Sequence, residues 1–220
     1  MPKVYTAKPA YELFKSKSEN DVTPTLCLRR VRQQVTNECL SQYHRPDHKL
    51  YRCGVDGDGS CFFHAMCAAL DVDRWHRRST DTRRKIGHTF RRTCAHLIKS
   101  PKFWDTWNGR HTKDNKAPSL TEIMAKFENP REWADVYLIG FVMYRFNIGC
   151  IFFDGLSKGR IYCGVKGESN AKTFVMIQWV NRSHFEPIFL HDGENMKTSL
   201  APSDPFAKHL RSIYQTRCPV

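Results

Sequence analysis

Near residue 147 the hydrophobic pattern of this 220-residue chain changes its period. Upstream, Trp133, Val136, Tyr137, Gly140, Phe141 and Tyr144 recur at three- and four-residue steps, the spacing of one buried helical face, and the pattern predicts a helix through Arg145. Downstream, Ile148–Phe153, Arg160–Cys163, Thr173–Val180 and His184–Phe189 are short runs rich in β-formers, separated by Gly, Ser and Asn. Helices first and strands later predict an α+β chain, an α/β sandwich with a small central sheet flanked by helices.

Five further elements are expected upstream. Thr23-Pro24 has the form of a helix start. Leu28, Val31, Val35 and Cys39 give a stripe that predicts a helix fading by Tyr43. An extended piece, Leu50–Cys53, leads into the glycine-rich turn GVDGDGS, and a mostly buried helix begins at or beside Cys61. Another helix is expected over 82–99, with Ile86, Phe90 and Leu97 inward and a basic outer side. Ser119 and Glu122 have capping-box spacing ahead of a short helix carrying Ile123, Met124 and Phe127.

The length fits one domain, expected over 23–192 with a helical extension at its start. A polar arm over 1–22 would precede it, and a tail over 193–220 would follow, in which Phe206, Leu210, Ile213 and Tyr214 suit a docking helix. Forty per cent hydrophobic residues supply a core, which excludes a disordered chain. A net charge of +13 attracts polyanions, nucleic acid among them, but specifies no fold or reaction. The nine cysteines form no CxxC pair, and the chain opens without an apolar signal core. Those features fit a reducing cytoplasm or nucleus. His44 with His48, or Cys53 with His64, match no common zinc spacing, so no metal is expected.

The densest chemical signal is Asp56-Gly57-Asp58-Gly59-Ser60-Cys61-Phe62-Phe63-His64. Glycines permit a tight turn that delivers Cys61 to the first turn of a helix. Unpaired N–H groups and the positive end of the helix dipole lie there, and both favour thiolate over thiol. The same loop can aim backbone N–H groups at a substrate carbonyl oxygen, as an oxyanion hole requires. A D-x-D-G calcium loop is the competing reading, but the later bidentate Glu is missing. The plainer alternative is a buried structural cysteine.

A cysteine nucleophile benefits from an imidazole that accepts and returns its proton. Among ten histidines, His184 stands out in NRSHFEPIF. Strand alternation would place His184 and Glu186 on one face and Phe185 in the apolar layer. Glu186 could then fix the imidazole tautomer. Pro187 biases Glu186 toward extended backbone and suggests a strand with one free edge. His64 is the rival base, with no carboxylate evident beside it in sequence; His88 and His96 are expected to face solvent.

These segments resemble a known family. DGDGSCFFHAM resembles the nucleophile loop of ovarian-tumour (OTU) cysteine proteases, and WVNRSHFEPIF resembles their closing strand, in which an aromatic follows the catalytic His. NPREWADVYLIGFVMYRFNIGCIFF resembles the Trp-bearing helix and strand between them. The likeness spans roughly residues 50–190. It implies a deubiquitinase that cleaves after the C-terminal glycine of ubiquitin or a ubiquitin-like modifier without a cofactor. Cys61 would be nucleophile and His184 base. Asp58 would match the motif Asp whose loop shapes the oxyanion hole, with Gly59, Ser60 and Cys61 as donors. The family places Asn or Asp two positions after the His; Glu186 is one methylene longer, and Asn181 is the other candidate to orient the ring. Compact size and basic additions resemble stand-alone viral members, which would act on host proteins during infection.

The expected partners are ubiquitin or polyubiquitin chains, with polyanion contact through the basic surface, and the chain is expected to be a monomer. Two other functions compete. One is a basic nucleic-acid or virion-associated module with a degenerate protease fold. The other is a cysteine protease for a different polypeptide.

Overall fold

The computed structural model describes residues 28–30, 48–71, 75, 77–100, 104, 118–154, 161–163, 171–181, 183–191 and 196–213. Strands β1 (Leu28–Arg30) and β2 (Lys49–Cys53) come first. Four helices follow: α1 (Cys61–Leu70), α2 (Thr80–Ile98), α3 (Leu120–Glu128) and α4 (Val136–Phe146). Then come β3 (Ile148–Asp154), β4 (Ile161–Cys163), β5 (Thr173–Val180), β6 (His184–His191), β7 (Met196–Lys197) and β8 (Ser199–Leu200), with α5 (Pro205–Ile213) last. The fold is α+β. Among the described residues no helix is long and apolar enough to cross a membrane.

The sheet runs β1-β2-β6-β5-β3-β4, with β7 beside β6 and β8 beside β5. Only the β3–β5 pair among these ladders is parallel. Alternation gives the sheet two apolar faces. On one, Phe152, Val175, Ile177 and Phe185 pack with α1, α2, α3 and α4 around Phe62, Phe63, Phe90 and Phe141. On the other, Ile151, Phe153, Met176, Ile188 and Leu190 meet Phe206, Ala207 and Leu210 of α5. The sheet is thus the middle of three layers, and α5 docks on the face that the upstream helices leave open.

Local chemistry sets the helix ends. Ser119 and Glu122 form both halves of the capping box on α3. Asp135 caps α4 by accepting from Tyr137 N and Leu138 N. This cap corrects the sequence expectation, because α4 begins after Trp133, which stands 52% exposed in the preceding turn. Asn147 ends α4 in the left-handed region with φ 53°, where the chain turns directly into β3.

Two other expectations change. Leu28–Arg30 is a strand rather than part of a helix, because it pairs antiparallel with β2, from Leu28 opposite Cys53 to Arg30 opposite Tyr51. Pairing to a sheet edge outweighs a helical stripe of four residues, three of which lie outside the described residues, as do the arm 1–22 and Tyr214. Strand β6 is internal rather than an edge. Its ladder with β2 ends at Arg52 opposite Ile188, and Pro187 lies just past that end.

Candidate active site

The loop ahead of α1 is bolted to two other elements. Arg91, on α2, is 1% exposed. Its Nη1 donates to the Gly59 carbonyl at 2.8 Å and to Ser60 Oγ at 3.3 Å. Its other donors reach the carbonyls of Phe127 at 3.0 Å and Glu132 at 2.6 Å. One buried cation therefore fixes the cysteine loop against the 126–132 segment. Gly59 has φ +84°, and a Cβ there would lie 2.2 Å from the Pro130 carbonyl oxygen. Only glycine meets both conditions.

Asp58 ties the loop from the other side. It accepts from Ser60 N at 3.0 Å, and its two oxygens face His64 Nε2 at 3.0 and 3.1 Å. His88 Nε2 is 3.0 Å from Oδ2. Burial alone would raise the Asp58 carboxyl, but His64, the Ser60 N–H and His88 outweigh it and hold the group below 3.8. Burial keeps His64 neutral, against the pull of Asp58. The neutral ring then donates its Nε2–H to the carboxylate, which leaves Nδ1 against Gly87.

This arrangement differs from the sequence reading in three respects. His64 has a carboxylate partner, supplied by the turn six residues before it. His88 joins that carboxylate instead of simply facing solvent. The Ser60 N–H is engaged with Asp58 at 3.0 Å, so of the three loop donors that the sequence suggests, this one already has an acceptor. Asp58 itself acts on loop shape, through bonds that spacing alone does not reveal. Asp58, His64 and His88 place ligand atoms within 4.8 Å of one another, a set that could take a divalent ion. Hydrogen bonds already satisfy that carboxylate.

Cys61 is the first residue of α1 and is 4% exposed. Burial pushes its thiol up, although N–H groups of Phe185, Phe62 and Cys61 pull the other way. Desolvation thus outweighs those N–H groups and favours the thiol over the thiolate. The Phe185 N–H, near enough to favour the Cys61 thiolate, marks where the helix tip meets the start of β6. Phe62 and Phe185 lock the same junction edge to face, with ring centroids 5.7 Å apart.

His184 is the residue just before Phe185. Its Nδ1 and Cε1 lie 3.9 Å from where a Cβ on Gly57 would stand, so that edge of the ring faces the cysteine loop. The other ring nitrogen, Nε2, is 3.8 Å from Glu186 Oε1. His184 and Glu186 are half-buried on one side of β6, with Phe185 in the core between them. Glu186 Oε2 accepts from Arg52 Nη1 at 2.8 Å, a contact that the sequence reading missed because β2 lies 134 residues away. Asn181, with φ 51°, is exposed in the β5–β6 turn, and Glu186 is the group aligned with the ring.

Behind the loop, a cleft of about 610 Å³ opens along α2 and α3. Arg84, Lys85, His88 and Arg92 line it with Asp81 and Glu128. The described cysteines Cys53, Cys61, Cys67, Cys94 and Cys150 are buried free thiols.

The chain is similar in fold to solved OTU domains. An OTU domain in complex with ubiquitin is 16% identical, covering 74% of this chain and 84% of that one, with TM-score 0.49. The viral OTU domain protease from Taggert virus is 18% identical over 69% of this chain and 92% of its own, with TM-score 0.47. An OTU deubiquitinase from Wolbachia pipientis wMel is 15% identical, covering 75% of this chain and 96% of that one, with TM-score 0.42. No family model and no curated protein matches the chain. The chemistry of the site rests on its own side chains.

Proposed function

We propose that the chain is a thiol-dependent deubiquitinase, with Cys61 as nucleophile and His184 as general base. The observation that supports it most is the junction of α1 and β6, where the Phe62 and Phe185 rings pack edge to face and the preceding His184 turns its Nδ1–Cε1 edge toward the cysteine loop. The motif resemblance set out above supplies the substrate class.

A resting thiol requires the base to act during attack. His184 Nδ1 takes the Cys61 proton as sulfur bonds to the carbonyl carbon of the terminal glycine of ubiquitin. Phe185 N–H stabilises the charge on sulfur. The N–H groups of Gly59 and Cys61 meet the oxygen that becomes negative. The imidazolium passes its proton to the departing lysine amine, leaving a thioester. His184 then deprotonates water, which attacks the thioester and frees the ubiquitin carboxylate and the thiol. Glu186 orients the ring from its Nε2 side and favours the transient imidazolium.

Incubation with di-ubiquitin chains of defined linkage tests the reading. The wild-type protein should release mono-ubiquitin, and Cys61→Ala should release none. Equal release by the two proteins would overturn it. If the wild-type protein instead cleaves only an unrelated polypeptide, the chemistry survives and the substrate class does not.

A further inference from the structure

Arg52 takes no part in the steps above, yet it is bonded to their outer member. It stands on β2, in register with Ile188 of β6. Its Nη1 donates to Glu186 Oε2 at 2.8 Å, with the two side chains only 19% and 13% exposed. The other carboxylate oxygen faces His184 Nε2 at 3.8 Å, beyond hydrogen-bond range. The carboxylate is therefore divided: one oxygen is held by a cation, and the other is aimed at the imidazole without bonding it. Arg52 Nε is buried and has no partner among the described residues, so Glu186 is the bond that holds this guanidinium. Among the described residues, His184 lies beside Glu186 on β6, and Gln178 of β5 lies opposite it in the ladder.

We propose that Arg52 is a positioning residue that sets how strongly Glu186 supports His184; this rests on the reading of His184 as the base. A bare carboxylate beside an imidazole favours the imidazolium with a full negative charge. With a guanidinium bonded to it, the same carboxylate presents closer to a dipole. Arg52 thus fixes the direction of Glu186 and limits its pull on the proton. His184 can then release to the leaving amine the proton it takes from Cys61. The pair also explains why Glu can serve where a shorter Asn or Asp would be expected. The longer side chain reaches across to β2 and is steadied there.

The test is the pH titration of the His184 ring, followed by NMR on the full chain, together with the acidic limb of kcat/KM for ubiquitin cleavage. Arg52→Met and Arg52→Gln should move both to higher pH, by about three- to tenfold in proton concentration at the midpoint. Arg52→Lys should restore the wild-type position, and Glu186→Gln should move the midpoint the other way. A merely structural role would lower activity without moving either curve. Titration of the ring in both Arg52→Met and Arg52→Gln at the wild-type midpoint would overturn the proposal, and the Gln variant serves if the Met variant does not fold. The ring titration needs no turnover. If it shifts as stated while the wild-type protein cleaves no ubiquitin, the functional reading fails and the role of Arg52 stands. Cleavage without the shift gives the reverse.

Discussion

Arg91 Nη1 donates to the Gly59 carbonyl at 2.8 Å, linking the middle of α2 to the peptide two residues before Cys61. The same guanidinium holds carbonyls of the 126–132 segment, so the loop cannot shift without orphaning buried acceptors. Replacing Arg91 with Met should cost about 3 kcal/mol of stability, because charge-assisted bonds are lost and several carbonyls are left unpaired. Urea denaturation reads that cost directly. Residual activity should fall further than the folded fraction, since the loop that presents Cys61 is loosened.

Two glycines define how tightly this region is packed. Gly59→Ala meets both a left-handed φ and a Cβ 2.2 Å from Pro130 O, while Gly87→Ala drives a Cβ to 2.1 Å from His64 Nδ1. Each should destabilise by about 1–3 kcal/mol. Gly57→Ala is the control. Its Cβ would meet His184 at an ordinary 3.9 Å, so it should leave the thermal midpoint nearly unchanged. A Gly59→Ala protein as stable as the wild type would contradict the loop geometry.

Much of this arrangement was legible in the sequence because it is local. The period change near residue 147 anticipated the order of α4, β3, β5 and β6, and the capping box at Ser119 formed as its spacing required. Alternation along HFEPIF placed His184 and Glu186 together and Phe185 in the core. What the sequence hid was long-range. Arg52 reaches Glu186 only because β2 and β6 are neighbours in the sheet, and Arg91 looks like one more basic residue of α2 until the fold buries it. Leu28–Arg30 followed a strand partner rather than its own periodicity. The helix tip at Cys61 favours a thiolate, and the burial that opposes it is displayed by no motif.

Alkaline stability offers an independent check on the core. Burial raises the Cys67 and Cys94 thiols well above the ordinary 9.0, so the folded chain keeps protons that the unfolded chain releases. Their stabilising effect is complete below pH 9 and is lost as pH rises beyond it. The slope is about 1.4 kcal/mol per pH unit for each thiol. Urea midpoints at pH 8, 9 and 10 should fall accordingly, and the fall should flatten in Cys67→Ala. A rising midpoint over that range would mean these thiols are not buried as described.

Within the site, His184→Ala should lower kcat/KM nearly as far as Cys61→Ala, because a buried thiol has no other route to thiolate at neutral pH. Glu186→Gln should be milder, on the order of tenfold, since the ring keeps its place beside Phe185. Steady-state hydrolysis of a fluorogenic ubiquitin ester ranks the three. Greater activity in His184→Ala than in Glu186→Gln would exchange their roles.

The most direct measurement is the mass of the protein after incubation with ubiquitin bearing a C-terminal alkyne, followed by peptide mapping of any adduct. The site described here predicts one ubiquitin per chain, bonded at Cys61, with the reaction strongly slowed in His184→Ala. An adduct at another cysteine, or none on a folded protein, would contradict it.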